Sequence, residues 1–271
     1  WQQQAGSFEV NCSFTQLNPI RGTVLLREMT TESAYIPDGW THSTGYAARY
    51  QREEQVSEVT ELLRLETADV LLDIGCGNGA FSVAAAAEFP DCRVWAFDAL
   101  GTAVTECRRR ASEAGLDNLR VSIAPADKLP FENANADRVL MRNVLHHVAS
   151  ADDVIREIAR VLRPRGLALL EGPANVGDES LGSLISEIDM LMDDSHRRTY
   201  LKPDVIMAEL LANGMTTETM ITWPFTKTVS ADQRALIIRQ QAEDLSCLQQ
   251  EGGDRWTIQF NIVRIIARKE N

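Results

Sequence analysis

The sequence has few cysteines and lacks the spacings that cysteine or histidine metal sites require. Its five cysteines are odd in number, lie far apart and form no C-x-x-C pair: Cys12, Cys76, Cys92, Cys107 and Cys247. H-E-x-x-H and G-x-S-x-G segments are also absent from the sequence. Neither a disulfide framework, a zinc site nor an α/β-type serine hydrolase is therefore indicated, and we expect no metal ion.

Basic residues are fewer than acidic residues, and long apolar runs are missing. The 271 residues include 27 Lys and Arg against 39 Asp and Glu, a net charge of −12 that repels nucleic-acid phosphates and anionic membrane surfaces. No stretch reaches the roughly 18 to 20 apolar residues of a membrane helix, and no basic segment followed by an apolar run opens the sequence. We expect a cytoplasmic protein without a nucleic-acid partner or stable membrane insertion. The sequence does not decide between a monomer and a homodimer.

What the sequence does contain is a regular alternation of amphipathic helices and short apolar strands. A helical pattern over Gln51–Leu65 is followed by a continuous apolar run that starts at Val70. The alternation continues with helices over Ala80–Glu88, Ala103–Ala114 and Asp152–Leu162, and with strands over Arg93–Phe97, Leu119–Ile123, Arg138–Met141 and Leu167–Glu171. Such a rhythm predicts an α/β fold, with helices on both faces of a mostly parallel sheet.

The rhythm changes after Gly172. Helical patterns then cover Leu181–Met192, Asp204–Asn213 and Ala231–Leu248, and strand patterns cover Glu218–Trp223 and Trp256–Ala267. There is no internal repeat, so we expect a single domain over 29–271. Residues 1–28 precede the first methionine, Met29, and show no sustained helical period. We expect them to be an extension outside the fold.

A glycine turn follows the first apolar strand. The segment D-I-G-C-G-N-G-A over 73–80 leads into the first crossover helix, and Gly75, Gly77 and Ala80 satisfy the dinucleotide pattern G-x-G-x-x-G/A. Glycines there allow a tight turn and a close approach of ligand to backbone, but a lone match is weak support for a dinucleotide. Asp73 shifts the balance, because a carboxylate at the strand's end repels a pyrophosphate and attracts an ammonium or sulfonium cation.

Two more acids follow the next two strands. Asp98 ends the second strand, where a carboxylate can accept hydrogen bonds from ribose hydroxyls. A nicotinamide and an adenosyl ligand would both use such a group. Asp127 comes after Ala126 and the third strand, where it either accepts from an adenine amino group or is a solvated loop acid.

Five segments thus follow one another: L-L-D-I-G-C-G-N-G, F-D at Asp98, A-D at Asp127, R-N-V-L-H-H over 142–147, and L-R-P-R-G. Together they resemble a class I S-adenosylmethionine-dependent methyltransferase, most similar to the ubiquinone/menaquinone-type and natural-product small-molecule methyltransferases. The resemblance covers about residues 45–172. It implies a Rossmann-like sheet of seven strands, mostly parallel with an antiparallel last strand. It also implies a helical cap from the N-terminal segment and the insertion after the fifth strand.

The resemblance further implies that S-adenosylmethionine is the cofactor and S-adenosylhomocysteine the product. The implied cofactor-binding residues are Asp73, Gly75, Cys76, Gly77, Asp98, Ala99, Ala126, Asp127 and Asn143. Within this set, Asp73 would hold the ammonium group, Asp98 the ribose and Asp127 the adenine. The implied division of the methyltransferase domain is a cofactor half at about 51–172 and a substrate cap at about 29–50 and 173–217.

Methyl transfer is an in-line displacement, so holding the acceptor close to the methyl group supplies most of the barrier reduction. A base helps only where the acceptor must lose a proton, and histidine is suited to that task. His146 and His147 follow the fourth strand, at the edge where open α/β sheets bind ligands. We expect one of them to face the cleft, with His146 the preferred catalytic candidate.

The acceptor is the least determined part. Trp40, Tyr46, Tyr50 and Met190 are the candidate substrate-binding residues, and the three aromatic ones favour an aromatic small molecule methylated at carbon or oxygen. The alternative for the tyrosines is a surface helix that packs on the core. Two other functions stay open: an NAD(P)-dependent oxidoreductase, against which Asp73 and L-R-P-R-G speak, and a protein of the same fold that catalyses a cyclisation without methyl transfer.

Overall fold

The computed structural model describes residues 53–177, 179–192, 197, 199–229, 231, 234–235, 248–250 and 256–271. The helices in this part of the chain are α1 (Glu53–Leu62), α2 (Ala80–Glu88), α3 (Gly101–Glu113), α4 (Ala151–Val161), α5 (Glu179–Met192) and α6 (Pro203–Ala212). The strands are β1 (Val70–Ile74), β2 (Arg93–Asp98), β3 (Leu119–Ile123), β4 (Ala136–Arg142), β5 (Leu162–Ala174), β6 (Met215–Val229), β7 (Leu248–Gln250) and β8 (Trp256–Lys269).

The strands form one sheet whose order brings the predicted site residues to a common edge. The order is β3-β2-β1-β4-β5-β8-β6, and β7 pairs with β8 outside this path. β1 to β5 pair in parallel, whereas β8 runs antiparallel between β5 and β6. The mostly parallel sheet and the antiparallel last strand are confirmed. Because β1 to β4 are parallel, the loops that follow them meet at the carboxyl edge of the sheet.

The expected number of strands is wrong. The described residues contain eight strands rather than seven, because Leu248–Gln250 pairs with β8 over Trp256–Ile258. For the same reason, the helix expected over Ala231–Leu248 does not extend to its expected C-terminal residue. A three-residue edge strand has no periodicity that a sequence pattern can detect, so the pairing with β8 decided its structure.

Two other strands are longer than expected. β5 begins at Leu162 rather than Leu167, because Leu162 pairs with Ala136 of β4; after a register shift the pairing resumes between Leu167 and Arg138. β6 extends over Met215–Val229, well beyond 218–223, because it pairs with nearly the whole of β8. Strand length was therefore set by the neighbouring strand.

Helices cover both faces of the sheet, as expected. On one face, Val154, Ile155 and Ile158 of α4 pack with Ile206 and Leu210 of α6 against β1, β4 and β5. On the other face, α1, α2 and α3 pack against β1, β2 and β4 through Val59, Phe81 and Val104, among others. Burying each such side chain stabilises the fold by about 1.5–3 kcal/mol.

The insertion after β5 contributes a third apolar cluster. Ile185 and Ile188 of α5 are buried with Tyr200 and with Ile258 and Phe260 of β8. The 29–50 part of the expected cap, which includes Trp40, Tyr46 and Tyr50, lies outside the described residues. None of the helices that the structure describes is long and apolar enough to cross a membrane.

Candidate functional site

The glycine turn after β1 leaves an open space beside its backbone. Gly75, Gly77 and Gly79 have φ angles of 73°, 54° and 77°, a region that glycine enters without penalty. A Cβ atom on Gly75 would lie 2.2 Å from Cγ2 of Val144, so the loop after β4 packs directly against this residue. A Cβ atom on Gly77 would meet nothing within 4 Å. The turn is therefore closed at Gly75 and open at Gly77.

Asp98 holds the open part of the turn. Its side-chain oxygens accept hydrogen bonds from the backbone N–H of Gly77, at 2.8 Å, and of Leu100, at 2.9 Å. Asp98 is only 9% exposed. A carboxylate offers about four acceptor positions, so this group can fix the turn and still accept from the hydroxyl of a ligand.

Asp73 lies beneath the same turn. It is buried and accepts a hydrogen bond from the hydroxyl of Ser82 on α2. Burial raises the pKa of Asp73 to about 6, while the Ser82 hydrogen bond and the Arg142 charge act to lower it. A carboxylate in this position is stabilised by a cation brought close to it.

The turn after β3 starts beside Asp98. The N–H of Ala124 donates to the backbone carbonyl of Asp98 at 3.0 Å, and Ala126 and Asp127 follow in a turn. Asp127 is exposed, whereas Ala99 and Ala126 are half-buried. The acids and small residues that follow β2 and β3 therefore lie at the same edge as the glycine turn.

The loop after β4 places both histidines at this edge as well. Asn143 has a φ of 57° and donates its N–H to the carbonyl of Glu171 at 2.7 Å. His146 is buried, at 8% exposure, and its ring centroid is 4.0 Å from that of the half-buried His147. The ring of Tyr200 meets His146 edge-on at 5.9 Å.

Part of the sequence matches a known family model. Residues 71–166 match the family model described as a methyltransferase domain. This part of the chain is a methyltransferase domain. The uncharacterized methyltransferase YcgJ of Bacillus subtilis is 30% identical over 158 residues, which cover 56% of this chain and 62% of that protein. The 27-O-demethylrifamycin SV methyltransferase of Amycolatopsis mediterranei is 36% identical over 145 residues, covering 50% and 53%. The chain thus matches between half and two thirds of the length of these relatives.

Solved structures share the fold of this chain. The crystal structure of YcgJ has a TM-score of 0.72 at 22% sequence identity and covers 81% of this chain and all of that one. The [4+2]-cyclase SpnF has a TM-score of 0.57 at 19% identity, and covers 91% of this chain and 86% of that one. These likenesses confirm the Rossmann-like α/β architecture.

Most of the sequence-predicted site residues in the described part of the chain lie at one edge of the sheet. That edge holds Asp73, Gly75, Gly77, Asp98, Ala99, Ala126, Asp127, Asn143, His146 and His147. The side chain of Cys76 is buried in the core that α2 and α3 share, and only its backbone belongs to the turn. A hydrogen bond with Cys107 and burial raise the pKa of the Cys76 thiol. Met190 is half-buried on α5.

Sequence reasoning missed two groups in the described part of the chain. Ser82 supports Asp73, but a serine within an alanine-rich helix gave no signal of this contact. Glu171 and Arg264 are buried charges that form an ion pair between β5 and β8. The signal in the sequence was Glu171, a charged residue within an apolar strand. The sequence did not show that its partner, Arg264, lies on the strand beside it. No cluster of three metal-ligating side chains occurs in the described residues.

Proposed function

We propose that the protein transfers a methyl group from S-adenosylmethionine to a carbon or oxygen atom of a small-molecule acceptor. The glycine turn carries this proposal: its Gly77 side is open, Asp98 is fixed against its backbone, and Asp73 lies beneath it. An adenosyl amino acid needs the same three features, namely space along the backbone, an acceptor for ribose and a negative charge for an ammonium group.

The residues fit this cofactor. The side of the turn at which a Cβ would meet nothing within 4 Å is where a ligand can approach the peptide groups. Asp98 would accept from the ribose, Asp73 would stabilise the ammonium group, and Ala126 and Asp127 would border the adenine. When bound, S-adenosylmethionine supplies an electrophilic methyl group on a sulfonium centre.

In this proposal, the residues of the chain place the acceptor and remove a proton from it. The loop after β4, with Asn143 and His146, would border the acceptor at the carboxyl edge of the sheet. A half-buried or buried imidazole there can take the proton that a hydroxyl or an activated carbon loses when it accepts the methyl group. Exclusion of water by α5 and Tyr200 would protect this step.

In this proposal, the acceptor binds to the cap. We assign the cofactor half to about 51–172 and the substrate cap to about 29–50 and 173–217, with residues 1–28 outside the fold. Met190 on α5, together with Trp40, Tyr46 and Tyr50, would contact the acceptor, and an aromatic small molecule suits such a lining. The relative named as a 27-O-demethylrifamycin SV methyltransferase supports an acceptor of natural-product type.

The likeness to the cyclase SpnF favours one second candidate: the fold can serve a cyclisation in which no methyl group moves. The mass of the product separates the two functions, because methyl transfer adds one methyl group and an isomerising cyclisation leaves the mass unchanged.

The test is a calorimetric titration of the full chain with S-adenosylhomocysteine, run beside NADH and NADPH. We expect micromolar binding of S-adenosylhomocysteine alone, followed by a screen of phenolic and quinone-type acceptors for a gain of one methyl group. Binding of a nicotinamide cofactor instead would overturn the proposal, and so would cofactor binding with products of unchanged mass.

A further inference from the structure

A row of alternating charges crosses the sheet next to the glycine turn. Arg142 of β4 is paired in register with Glu171 of β5, which is paired in register with Arg264 of β8. Nε and Nη2 of Arg142 both lie 2.9 Å from Oε1 of Glu171, and Nε of Arg264 lies 2.6 Å from Oε2. Glu171 therefore gives one oxygen to each arginine.

The Glu171–Arg264 end of the row is buried and fixed. The side chains of Glu171 and Arg264 are 4% and 6% exposed. Nη1 of Arg264 also bonds Glu58 of α1 at 2.5 Å, and the guanidinium lies over the ring of Trp223, 5.1 Å from its centroid. A guanidinium carries five N–H donors in a planar fork and can serve two anions at once, as Arg264 does.

Arg142 stands on the same face of the sheet as Asp73. Asp73 of β1 is in register with Leu140 of β4, and side chains two residues apart on a strand point to the same face. Arg142 is thus diagonal to Asp73, across strands that lie about 4.8 Å apart. The Arg142 charge lowers the pKa of Asp73, which is consistent with this proximity.

Charges of opposite sign, the buried Asp73 and the half-buried Arg142, therefore flank the place assigned to the amino-acid part of the cofactor. That part of the cofactor is a zwitterion, with an ammonium group and a carboxylate on one carbon atom. If Asp73 stabilises the ammonium group, the carboxylate lies within a few ångströms of it and needs a cation. Arg142 is the cation of the described residues that both borders Asp73 and is fixed by a buried partner.

We propose that Arg142 binds the carboxylate of the cofactor's methionine part, and that Glu171 is its positioning residue. This inference rests on the proposed function. It assigns the zwitterion to two strands: the ammonium group to the end of β1 and the carboxylate to the end of β4. The ion pair with Glu171 would hold the guanidinium in place before the ligand arrives, which lowers the entropy cost of binding.

The test uses two ligands that differ by the carboxylate alone. The full chain is titrated with S-adenosylhomocysteine and with its decarboxylated analogue, in which the carboxyl group is replaced by hydrogen. We expect the wild-type protein to bind S-adenosylhomocysteine about 10- to 100-fold more tightly than the analogue, the scale of a charge-assisted hydrogen-bonded pair. Arg142→Gln should remove this preference, losing affinity for S-adenosylhomocysteine while binding the analogue within about threefold of wild type.

A matched control and a second variant keep the test decisive. Arg156→Gln alters an exposed arginine of α4, whose side chain is 64% exposed, and should leave both affinities unchanged. Arg142→Lys keeps the charge beside Glu171 but loses the fork, and should reduce the preference only in part. Folding of each variant is checked by circular dichroism and thermal melting.

The outcomes separate this inference from the proposed function. Equal binding of the two ligands by the wild-type protein would overturn the role of Arg142, even if Arg142→Gln fails to fold. An equal loss of both ligands in folded Arg142→Gln would also overturn it, since the arginine would then act only through the structure. If the wild-type protein binds neither ligand, the proposed function itself fails.

Discussion

Replacing Gly77 with alanine should separate folding from cofactor binding. Gly77 has a φ of 54°, and a Cβ atom there meets nothing within 4 Å. An alanine in this left-handed conformation costs about 1–2 kcal/mol, with no added clash in the protein. For a chain of this size each kcal/mol lowers the Tm by about 2–4 °C. The new methyl group would occupy the space assigned to the cofactor, so S-adenosylhomocysteine should bind at least about 10-fold more weakly, a loss of 1.4 kcal/mol or more.

The chain offers two matched comparisons. Gly115 has a φ of 65° and equally open surroundings, but it follows α3 at the opposite edge of the sheet. Gly115→Ala should therefore lower the Tm by a similar amount and leave binding unchanged. Gly79 has a φ of 77°, and a Cβ atom there would lie 2.2 Å from Sγ of Cys107. Gly79→Ala should add an overpacking cost of about 1–3 kcal/mol to the strain of the left-handed backbone.

Thermal melting followed by calorimetric titration measures both quantities on the same samples. The expected pattern is equal destabilisation of Gly77→Ala and Gly115→Ala, with a binding defect in the first alone. Unchanged affinity in folded Gly77→Ala would refute the reasoning, because the open side of the turn would then not be where the cofactor lies. An equal binding defect in both variants would refute it as well, since the defect would follow from lost stability.

Three further predictions test other parts of the site. Asp98→Ala removes the acceptor of two backbone N–H groups and the proposed ribose contact. It should therefore weaken S-adenosylhomocysteine binding by about 1–3 kcal/mol in calorimetry, and unchanged affinity would place Asp98 outside the site. Because the pKa of Asp73 is raised to about 6 and the ionised form is the one that attracts a cation, affinity should be constant above about pH 7 and fall about tenfold by pH 5. Ser82→Ala should shift this fall in affinity to higher pH, because the lost hydrogen bond favoured the charged form of Asp73. Asp73→Asn should make the affinity nearly independent of pH over this range. If neither variant changes the pH dependence, another group is responsible for it. Once an acceptor is identified, His146→Gln should lower kcat by about 10²- to 10⁴-fold without changing cofactor affinity if the imidazole is the base. The kcat of the control variant Tyr200→Phe should stay within a few-fold of wild type. Equal kcat values for His146→Gln and the wild-type protein would assign the histidine a packing role.

The cofactor side of the fold was predictable because its signals are local. In a turn such as D-I-G-C-G-N-G, the glycines themselves indicate that the backbone enters a left-handed conformation. Gly75, Gly77 and Gly79 adopt this conformation. An acid near the carboxyl end of an apolar strand is assigned to the carboxyl edge of the sheet by the parallel topology alone. Asp73 and Asp98 could therefore be placed without knowledge of any long-range contact.

The same local reading failed where pairing decided the structure. β5, β6 and β7 took their lengths from the strands beside them, and the short strand Leu248–Gln250 exists only through its pairing with β8. Strand limits of this kind depend on residues far away in the sequence, which a periodicity does not contain.

The buried charges show why a motif can contain a residue without revealing its role. Arg142 stands within R-N-V-L-H-H, so it was visible in the sequence, yet nothing beside it indicated what it contacts. Its partner Glu171 is 29 residues away and Arg264 a further 93, and only the strand order β4-β5-β8 makes them neighbours. Removing charges from water is costly unless they are paired, so the buried Glu171 and Arg264 and the half-buried Arg142 have to satisfy one another. A charged residue inside an apolar strand therefore indicates a partner on a neighbouring strand, and the sheet order identifies that partner.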